Sequence, residues 1–458
     1  MSLFDGVHKR IPVAMTIAGS DSGGGAGIEA DLKTFAALGV HGTVALTAIT
    51  AQNTYSVTAV QDVEIEVIKK QIDAVAEDMG IDAAKTGMLH TTEIIEAVAE
   101  KVREYGFPLV VDPVMIAKSG APLLKKEAVK ALVEKLVPLA TVITPNAREA
   151  EVLAGIKIVS KKDMVEAARK IARLGPKAVV VKGGHVEETN QAIDILYYDG
   201  EVYEFIAPRV ESKNTHGTGC SFSAAIAAEL AKGSDIISAV KTAKEVVRAG
   251  IVFGLPVGKG YGPVNPLALL YKEASRYKVL KSVERGMRLL LSSPDVERLT
   301  PEVGMNLAEA TPYAEDIFDV AAILGRLRAT GKGLAAALSL DFGASSHLAR
   351  YILTATKYDP NIRAAINIRF SEKFIEVLES MGLTVSYYDR REEPEEVKKK
   401  EGMTIPWGVE QAVKRIGRLP RVIYHRGDWG KEPMIVILGE NAEEVARIVL
   451  ELAEKIRP

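Results

Sequence analysis

Two hydrophobic rhythms alternate along the first half of the chain: short runs of consecutive apolar residues, and longer segments in which apolar positions recur every three or four residues. The run "IPVAMTIAG" predicts a buried strand, "IEADLKTFAALG" a helix closed by Gly39, and "TVALTAIT" the next strand. The rhythm repeats through the strands "LVVDPV", "TVITPN" and "KAVVVKGG", with "TTEIIEAVAEKVREYG" and "KKDMVEAARKIARLG" among the helices between them. Such alternation predicts an α/β fold with a mostly parallel sheet covered by helices on both faces. In "YYDGEVYEF" an Asp-Gly pair between two β-rich runs adds a hairpin. After "GKGYGPVNPL" the rhythm breaks into the charge-mixed helical stretch "LALLYKEASRYKVLKSVERGMRLLLSS", and a domain boundary is expected near Ser275, giving domains 1–274 and 275–458. Farther on, "DRREEPEEVKKKEG" reads as a charged surface loop or helix edge, a solvated face.

Composition supports two cores. The chain has 458 residues, 47% hydrophobic and 26% charged, too many for one ordinary core. A net charge of -2 gives no case for nucleic-acid binding through bulk electrostatics. The start "MSLFDGVHKR" lacks the pattern of a secretion signal and no apolar run is long enough to cross a bilayer, so the expectation is a cytoplasmic protein with no membrane partner. Cys220 is the one cysteine, which excludes an internal disulfide and a cysteine-based metal cluster. That scarcity, with many Lys and Glu, suits a thermophile.

Candidate chemistry gathers where strands end. Cys220 stands in "NTHGTGCSFSAAIAAEL" after a Gly-Thr-Gly turn and at the head of a predicted helix. Gly217 and Gly219 let a phosphate approach the backbone, and the helix terminus supplies free N–H groups and partial positive charge. The same field is expected to lower the thiol from about 8.5 towards neutrality, making Cys220 a proton acceptor, against the alternative of a small buried helix residue. The glycine-rich "GSDSGGGAG" from Gly19 to Gly27 lacks the Gly-Lys-Ser/Thr ending of a phosphate loop. In "TPNAREAE", Asn146 and Glu149 are three residues apart and can face one Mg²⁺ and its phosphates, or simply cap a helix. Asp112 in "VVDPVM" and Lys182 in "VVVKGGH" put charge at the ends of apolar strands, where each needs a partner.

These segments carry a resemblance. From about Met15 to Pro263, "TIAGSDSGGGAGIEADLKTF", "AITAQNT", "GML", "VVDPVM", "AKSGAPLL", "TPNAREAE", "VVVKGGH" and "NTHGTGCSFSAAIAA" occur in the order seen in hydroxymethylpyrimidine/phosphomethylpyrimidine kinases, ThiD-type members of the ribokinase-like superfamily. The resemblance implies two successive phosphoryl transfers from ATP with Mg²⁺, forming the pyrimidine monophosphate and then its diphosphate. It implies Cys220 as the base beside the substrate hydroxyl and the backbone of Gly217, Thr218, Gly219 and Cys220 as an anion hole. Gln52 would read the aminopyrimidine edge, Asp31 would orient the ring, and Gly19 and Met88 would border it. Asp112, Asn146 and Glu149 would organise Mg²⁺ and phosphates, and Lys182 would contact the transferring group. The "SDSGGG" order of the first loop departs from the family's usual Pro-Ser-Gly-Gly.

The second half is read separately. "DFGASSHLARYILTATKYDP" opens a helix with Ser345 as N-cap, so that Ser346, His347 and Arg350 surround free N–H groups. "LGRLRATGKG" sets Arg326, Arg328 and Lys332 among glycines, and "AAINIRF" alternates Asn367 with Arg369 as a strand does. With "DVAAILGRL", these stretches resemble the ThiN-type thiamine-phosphate synthase domain. That resemblance implies a class II aldolase-like α/β/α fold with a mixed, largely antiparallel sheet, without aldolase-type zinc histidines. It also implies coupling of the pyrimidine diphosphate to a thiazole phosphate, with Arg326 and His347 assisting diphosphate departure. The implied partners are small molecules and a second copy of the chain in a dimer. The competing readings are a second domain that senses thiamine phosphate without catalysis, and a first domain that is a pyridoxal kinase.

Overall fold

The computed structural model describes residues 10–115, 123–184, 186, 190–336 and 339–457, and it divides into two units, Met1–Leu270 and Tyr271–Pro458. The expected boundary near Ser275 and this division both fall in the helix Ala268–Leu291. Most of the "AKSGAPLL" motif and the His185 of "VVVKGGH" lie outside the described residues.

The strands of the first unit are β1 (Val13–Ala18), β2 (His41–Leu46), β3 (Ala48–Gln52), β4 (Val57–Asp62), β5 (Ala83–Thr86), β6 (Leu109–Val111), β7 (Val142–Ile143), β8 (Ala178–Lys182), β9 (Gln191–Tyr198) and β10 (Glu201–Pro208). Eight of them form one sheet in the order β10-β9-β8-β7-β6-β5-β1-β2, parallel from β2 through to β8 and antiparallel at β8/β9 and β9/β10. Alternate residues of each strand serve opposite faces. Met15 and Ile17 enter a core with the helices Ile65–Asp78, Thr92–Tyr105 and Lys161–Ala172, whereas Ala14, Val110 and Val180 pack against Thr218–Ala231 and Ile236–Val252. The β9–β10 hairpin turns through Asp199 (φ 51°) and Gly200 (φ 81°), the pair of left-handed residues that a tight hairpin turn demands.

One predicted strand is two. "TVALTAIT" breaks at Thr47, a buried residue whose N–H donates to the Ala18 carbonyl and whose hydroxyl donates to the Met88 carbonyl. These bonds take the chain out of the main sheet into the separate β3–β4 ribbon, which carries Gln52 at its irregular end.

The second unit's strands are β11 (Leu307–Ala310), β12 (Val320–Ile323), β13 (Leu327–Ala329), β14 (Leu334–Ala336), β15 (Leu340–Phe342), β16 (Ala364–Arg369), β17 (Val385–Tyr387), β18 (Val422–His425) and β19 (Met434–Gly439). Seven build a mixed sheet, β15-β12-β11-β16-β19-β18-β17, antiparallel except for β17/β18. One face packs under Val283, Leu290, Val445 and Val449, the other under Leu348, Ile352, Val409 and Ala412, giving helices on both sides. β13 and β14 form a separate two-stranded ribbon, and Leu327 of β13 also makes an antiparallel bridge to Met305. Among the described residues, no helix is long and apolar enough to cross a membrane.

Candidate functional site

In the first unit the charged candidates lie at the carboxyl ends of neighbouring parallel strands, the edge at which open α/β sheets bind ligands. Asp112 follows β6, Asn146 follows β7 and Lys182 ends β8. Lys182 Nζ donates to Asp112 Oδ1 at 3.1 Å, and Asp112 also accepts from Thr144 and Ser223. The two strand-end charges are therefore partners of each other. Burial works against the ammonium, but Asp112 and Glu149 together push its pKa up, so Lys182 stays charged.

Asn146 and Glu149 form a reciprocal capping box: the Asn146 side chain accepts from the Glu149 N–H at 3.0 Å, and the Asn146 N–H donates to the Glu149 carboxylate at 2.8 Å. The capping alternative is thus realised in full. Glu149 is nevertheless buried beside charge; burial, and then Asp112 working against Lys182, raise its pKa to about 7. No group of three or more His, Cys, Asp or Glu positioned to hold a metal ion occurs among the described residues.

Helix Thr218–Ala231 starts from Gly217 in a left-handed conformation (φ 80°), and a Cβ there would overlap the Gly25 carbonyl. The glycine-rich loop and the helix head therefore touch at a place where no side chain fits. A Cβ on Gly219 would lie 3.3 Å from both Asp112 Oδ2 and Lys182 Nζ, which sets the helix head directly on the charged pair.

Cys220 corrects an expectation. Its thiol is pushed up to about 12, not down: burial dominates, and the carboxylates of Asp31 and Asp112 oppose the help of Lys85 and the Gly27 N–H. The positive helix end is real, but the pocket around the sulfur is too dry and too acidic for it to prevail.

Asp31 sits wholly inside. It accepts from Thr16 Oγ1 at 2.6 Å and from Lys85 Nζ at 3.0 Å, and its second oxygen has no hydrogen-bond partner among the described residues. This is the environment of a buried ion pair. Gly19 follows β1 and lies against Met88, since a Cβ on it would be 3.4 Å from the Met88 sulfur. Met88 packs with Ala48, Leu123 and Val114 in a small apolar cluster.

Three residues were missed in sequence. Lys85, inside the apolar run of β5, has no exposure and supplies the cation for Asp31. Asp21 and His216 pair at 2.8 Å, and His216 Nε2 is also 3.3 Å from Gln52 Nε2. Although burial opposes ionisation of Asp21, His216 and the N–H groups of Gly23 and Ala26 hold its pKa down. His216 Nε2 has one proton to give and the Asp21 carboxylate takes it, so Gln52 is a near neighbour of this pair and not its hydrogen-bond partner. The signal was an Asp in a glycine-rich loop, which needs a partner, but nothing in the sequence points 195 residues ahead to His216.

In the second unit, Ser345 caps helix Ser346–Ala355 and His347 lies in its first turn. Burial, with Arg326, Arg350 and Arg390 nearby, lowers the His347 pKa to about 4, and its Nε2 is buried without a hydrogen-bond partner among the described residues. Arg326 is exposed and held at φ 74°, its Nη1 donating to the Val303 carbonyl at 2.5 Å. Val303 also borders a recess of about 520 Å³ shared with Arg369 and Phe370. Arg328 and Lys332 are exposed, while Asn367 is a core bridge bonded to Asn306 and the Gly304 carbonyl.

Residues 21–265 match the sequence model of a family described as Phosphomethylpyrimidine kinase, and residues 282–451 match the one described as Thiamine-phosphate synthase ThiN. The chain is 50% identical over 257 residues to a hydroxymethylpyrimidine/phosphomethylpyrimidine kinase of Bacillus subtilis, spanning 56% of this chain and 94% of that one. It is 49% identical over 263 residues to the thiamine biosynthesis bifunctional protein ThiED of Geobacter sulfurreducens, spanning 56% of this chain and 54% of that one. Among solved structures, the ADP complex of a Bacillus subtilis pyridoxal kinase is 42% identical with a TM-score of 0.54, over 57% of this chain and 99% of that one. A Staphylococcus aureus pyridoxal kinase with AMP-PCP and pyridoxal is 37% identical with a TM-score of 0.53, over 57% of this chain and 95% of that one.

Proposed function

The chain belongs to the phosphomethylpyrimidine kinase family through its first unit, and we propose that it is a bifunctional enzyme catalysing consecutive steps of thiamine biosynthesis. The first unit phosphorylates the hydroxymethyl group of an aminopyrimidine from ATP and then converts that monophosphate to the diphosphate. The second couples the diphosphate to a thiazole phosphate, giving thiamine phosphate and free diphosphate. The observation that carries the kinase reading is the head of helix Thr218–Ala231 resting on the Asp112–Lys182 pair and on the glycine-rich loop. A transferring phosphoryl needs fixed positive charge and N–H donors more than bond-making side chains, and this corner provides both.

Gly217, Thr218, Gly219 and Cys220 present the N–H groups, and Lys182 meets the moving phosphoryl. Mg²⁺ fits the donor chemistry of Asp112 and Glu149, since that ion commonly uses one or two carboxylates and takes its other ligands from phosphates and water. Asn146 holds Glu149 in place. Gln52, beside His216, reads the ring edge, and Met88 and Gly19 border it. Cys220 takes the hydroxyl proton in the first transfer, and the cost of ionising its thiol makes Lys85 part of that step.

For the second unit we read a class II aldolase-like α/β/α arrangement, supported by its mixed sheet with helices on both faces. Arg326 and His347 assist departure of diphosphate. The protein is read as a cytoplasmic dimer with kinase domain 1–274 and synthase domain 275–458. A second reading, pyridoxal kinase activity, is favoured by the two solved neighbours. One experiment tests all of these activities: purified protein with ATP, Mg²⁺ and thiazole phosphate is given either hydroxymethylpyrimidine or pyridoxal, and the products are identified. Thiamine phosphate from the pyrimidine is expected; phosphorylated pyridoxal alone would reverse the assignment.

A further inference from the structure

We propose that Arg390, in a segment that reads as solvated surface, is an anion-binding residue of the second unit's site and receives diphosphate oxygens together with His347. The inference rests on the synthase reading for the identity of the anion, and on geometry for the existence of the site.

The charge run "DRREEPEE" does not lie flat on the surface. Tyr388 is anchored inside by its N–H to the Tyr424 carbonyl at 3.2 Å and by its hydroxyl to that of Tyr351 at 2.9 Å. A single tight turn, Arg390–Glu392, follows, with Asp389 accepting from the Arg391 N–H at 2.9 Å. The turn sends neighbouring side chains opposite ways. Arg391 is exposed and tied to Asp389, whereas the Arg390 side chain is only 17% exposed and that of Glu393 only 2%.

The buried side of this turn meets a continuous line of rings. His347 is edge-on to Tyr351 at 5.4 Å, Tyr351 bonds to Tyr388, and Tyr388 lies 5.2 Å from His425. His425 is buried, and its Nδ1 accepts from the Gly427 N–H at 3.1 Å, leaving Nε2 to carry the proton. Arg390 follows the anchored Tyr388 by two residues, its side chain is largely buried with Nε wholly so, and its charge is felt by all four rings.

This cluster contains buried polar atoms without partners among the described residues. Arg390 Nε and His347 Nε2 are buried and have no hydrogen-bond partner among the described residues. A guanidinium cannot shed its proton to escape that situation, so its unpaired N–H demands an acceptor from outside the chain. Glu393 does not provide it: its nearer oxygen is 3.9 Å from Arg390 Nη2, beyond hydrogen-bond reach, and its other oxygen is also unpartnered. Arg326 and Arg350 add positive charge around His347. Three guanidinium groups against one distant carboxylate select an oxyanion, and planar N–H forks match phosphate oxygens. Burial, with the three arginines at His347 and with Arg390 at His425, lowers both pKa values to about 4, so an arriving anion raises both.

The test uses the full chain and inorganic pyrophosphate, with the ring signals of His347 and His425 followed by NMR so that binding in the kinase unit is not counted. Pyrophosphate is expected to shift both signals. Arg390→Met should require at least about tenfold more pyrophosphate, Arg390→Lys should recover part of the loss, and Arg391→Met, changing the exposed neighbour, should match the parent. The proposal is overturned if pyrophosphate leaves His347 unmoved in the parent, or if a folded Arg390→Met chain titrates like the parent. Supplying chemically made pyrimidine diphosphate and thiazole phosphate separates the two ideas. Histidine shifts without thiamine phosphate would sink the synthase reading alone, whereas product formed by Arg390→Met at parental kcat and KM would sink the role of Arg390 alone.

Discussion

Lys85 Nζ lies 3.0 Å from Asp31 Oδ2, and neither side chain has any exposure to solvent. Burial opposes both charges, and each is the other's main support: burial keeps the Asp31 carboxyl above its usual value although Lys85 pulls it down, and Asp31 holds the ammonium up. The pair also acts on Cys220 from both sides, Lys85 favouring the thiolate and Asp31 opposing it.

The first prediction follows from that arrangement. Lys85→Met leaves Asp31 buried without a counter-charge and should cost about 3–5 kcal/mol of unfolding free energy in denaturant. A double change, Lys85→Met with Asp31→Asn, removes both charges and should recover much of that loss. A single variant as stable as the parent would mean that the ion pair carries no net weight. Both forms should slow the first phosphorylation, because Cys220 loses the cation that favours its ionised form.

Cys220 yields a pH signature. With the thiol near 12, the ionised fraction rises about tenfold per pH unit through the neutral range, so the rate of the first phosphorylation should climb with pH. The second step attacks through a phosphate oxygen already ionised above about pH 6, and its rate should be nearly flat. Cys220→Ala should slow the first step roughly a hundredfold or more and flatten its profile. Equal losses in both steps, or a slope that survives the substitution, would place the residue in packing or in the anion hole instead.

How much of this was legible depends on what held each feature. The parallel strands were, because a strand buried on both faces must be an unbroken apolar run. The split at Thr47 was not, since it depends on carbonyls of Ala18 and Met88 brought in from other strands. The Asn146–Glu149 spacing announced itself, yet spacing alone cannot separate a capping box from a metal site, and the buried Glu149 beside Asp112 and Lys182 is compatible with both. Cys220 and Arg390 failed in the same way. A helix end and a charge run are local features, whereas the burial that overrides them comes from distant residues.

Glu149 has the opposite sign from an ordinary ion-paired carboxylate. Its folded pKa of about 7 lies above the usual 4.5, so the folded chain binds the extra proton, and stability falls as pH rises from about 4.5 to about 7. Glu149→Gln keeps an acceptor for the Asn146 N–H while removing the charge. It should therefore stabilise the unliganded protein at pH 8 by on the order of 1–3 kcal/mol and change little at pH 4.5, while kinase activity falls through loss of a Mg²⁺ ligand. Equal stability changes at the two pH values, read from denaturant midpoints, would show that the carboxyl is not strained.

Arg326 offers a substitution in which stability and activity part company. A non-glycine residue at φ 74° is held against its own backbone preference, and glycine adopts that conformation freely. If Arg326 served only the local fold, its side-chain bond to the Val303 carbonyl would have to outweigh that strain, and Arg326→Gly would unfold more easily. If it serves diphosphate departure, Arg326→Gly should be as stable as the parent to within about 1 kcal/mol, yet fail to make thiamine phosphate from supplied pyrimidine diphosphate. His347→Ala should fail likewise. Pyrimidine phosphorylation should be unchanged in both variants, because the kinase residues all belong to the other unit. Charge on the departing diphosphate grows as its bond to the pyrimidine methylene breaks, so the loss should fall on kcat more than on KM. Full synthase activity in a folded Arg326→Gly chain would move the second site away from this residue.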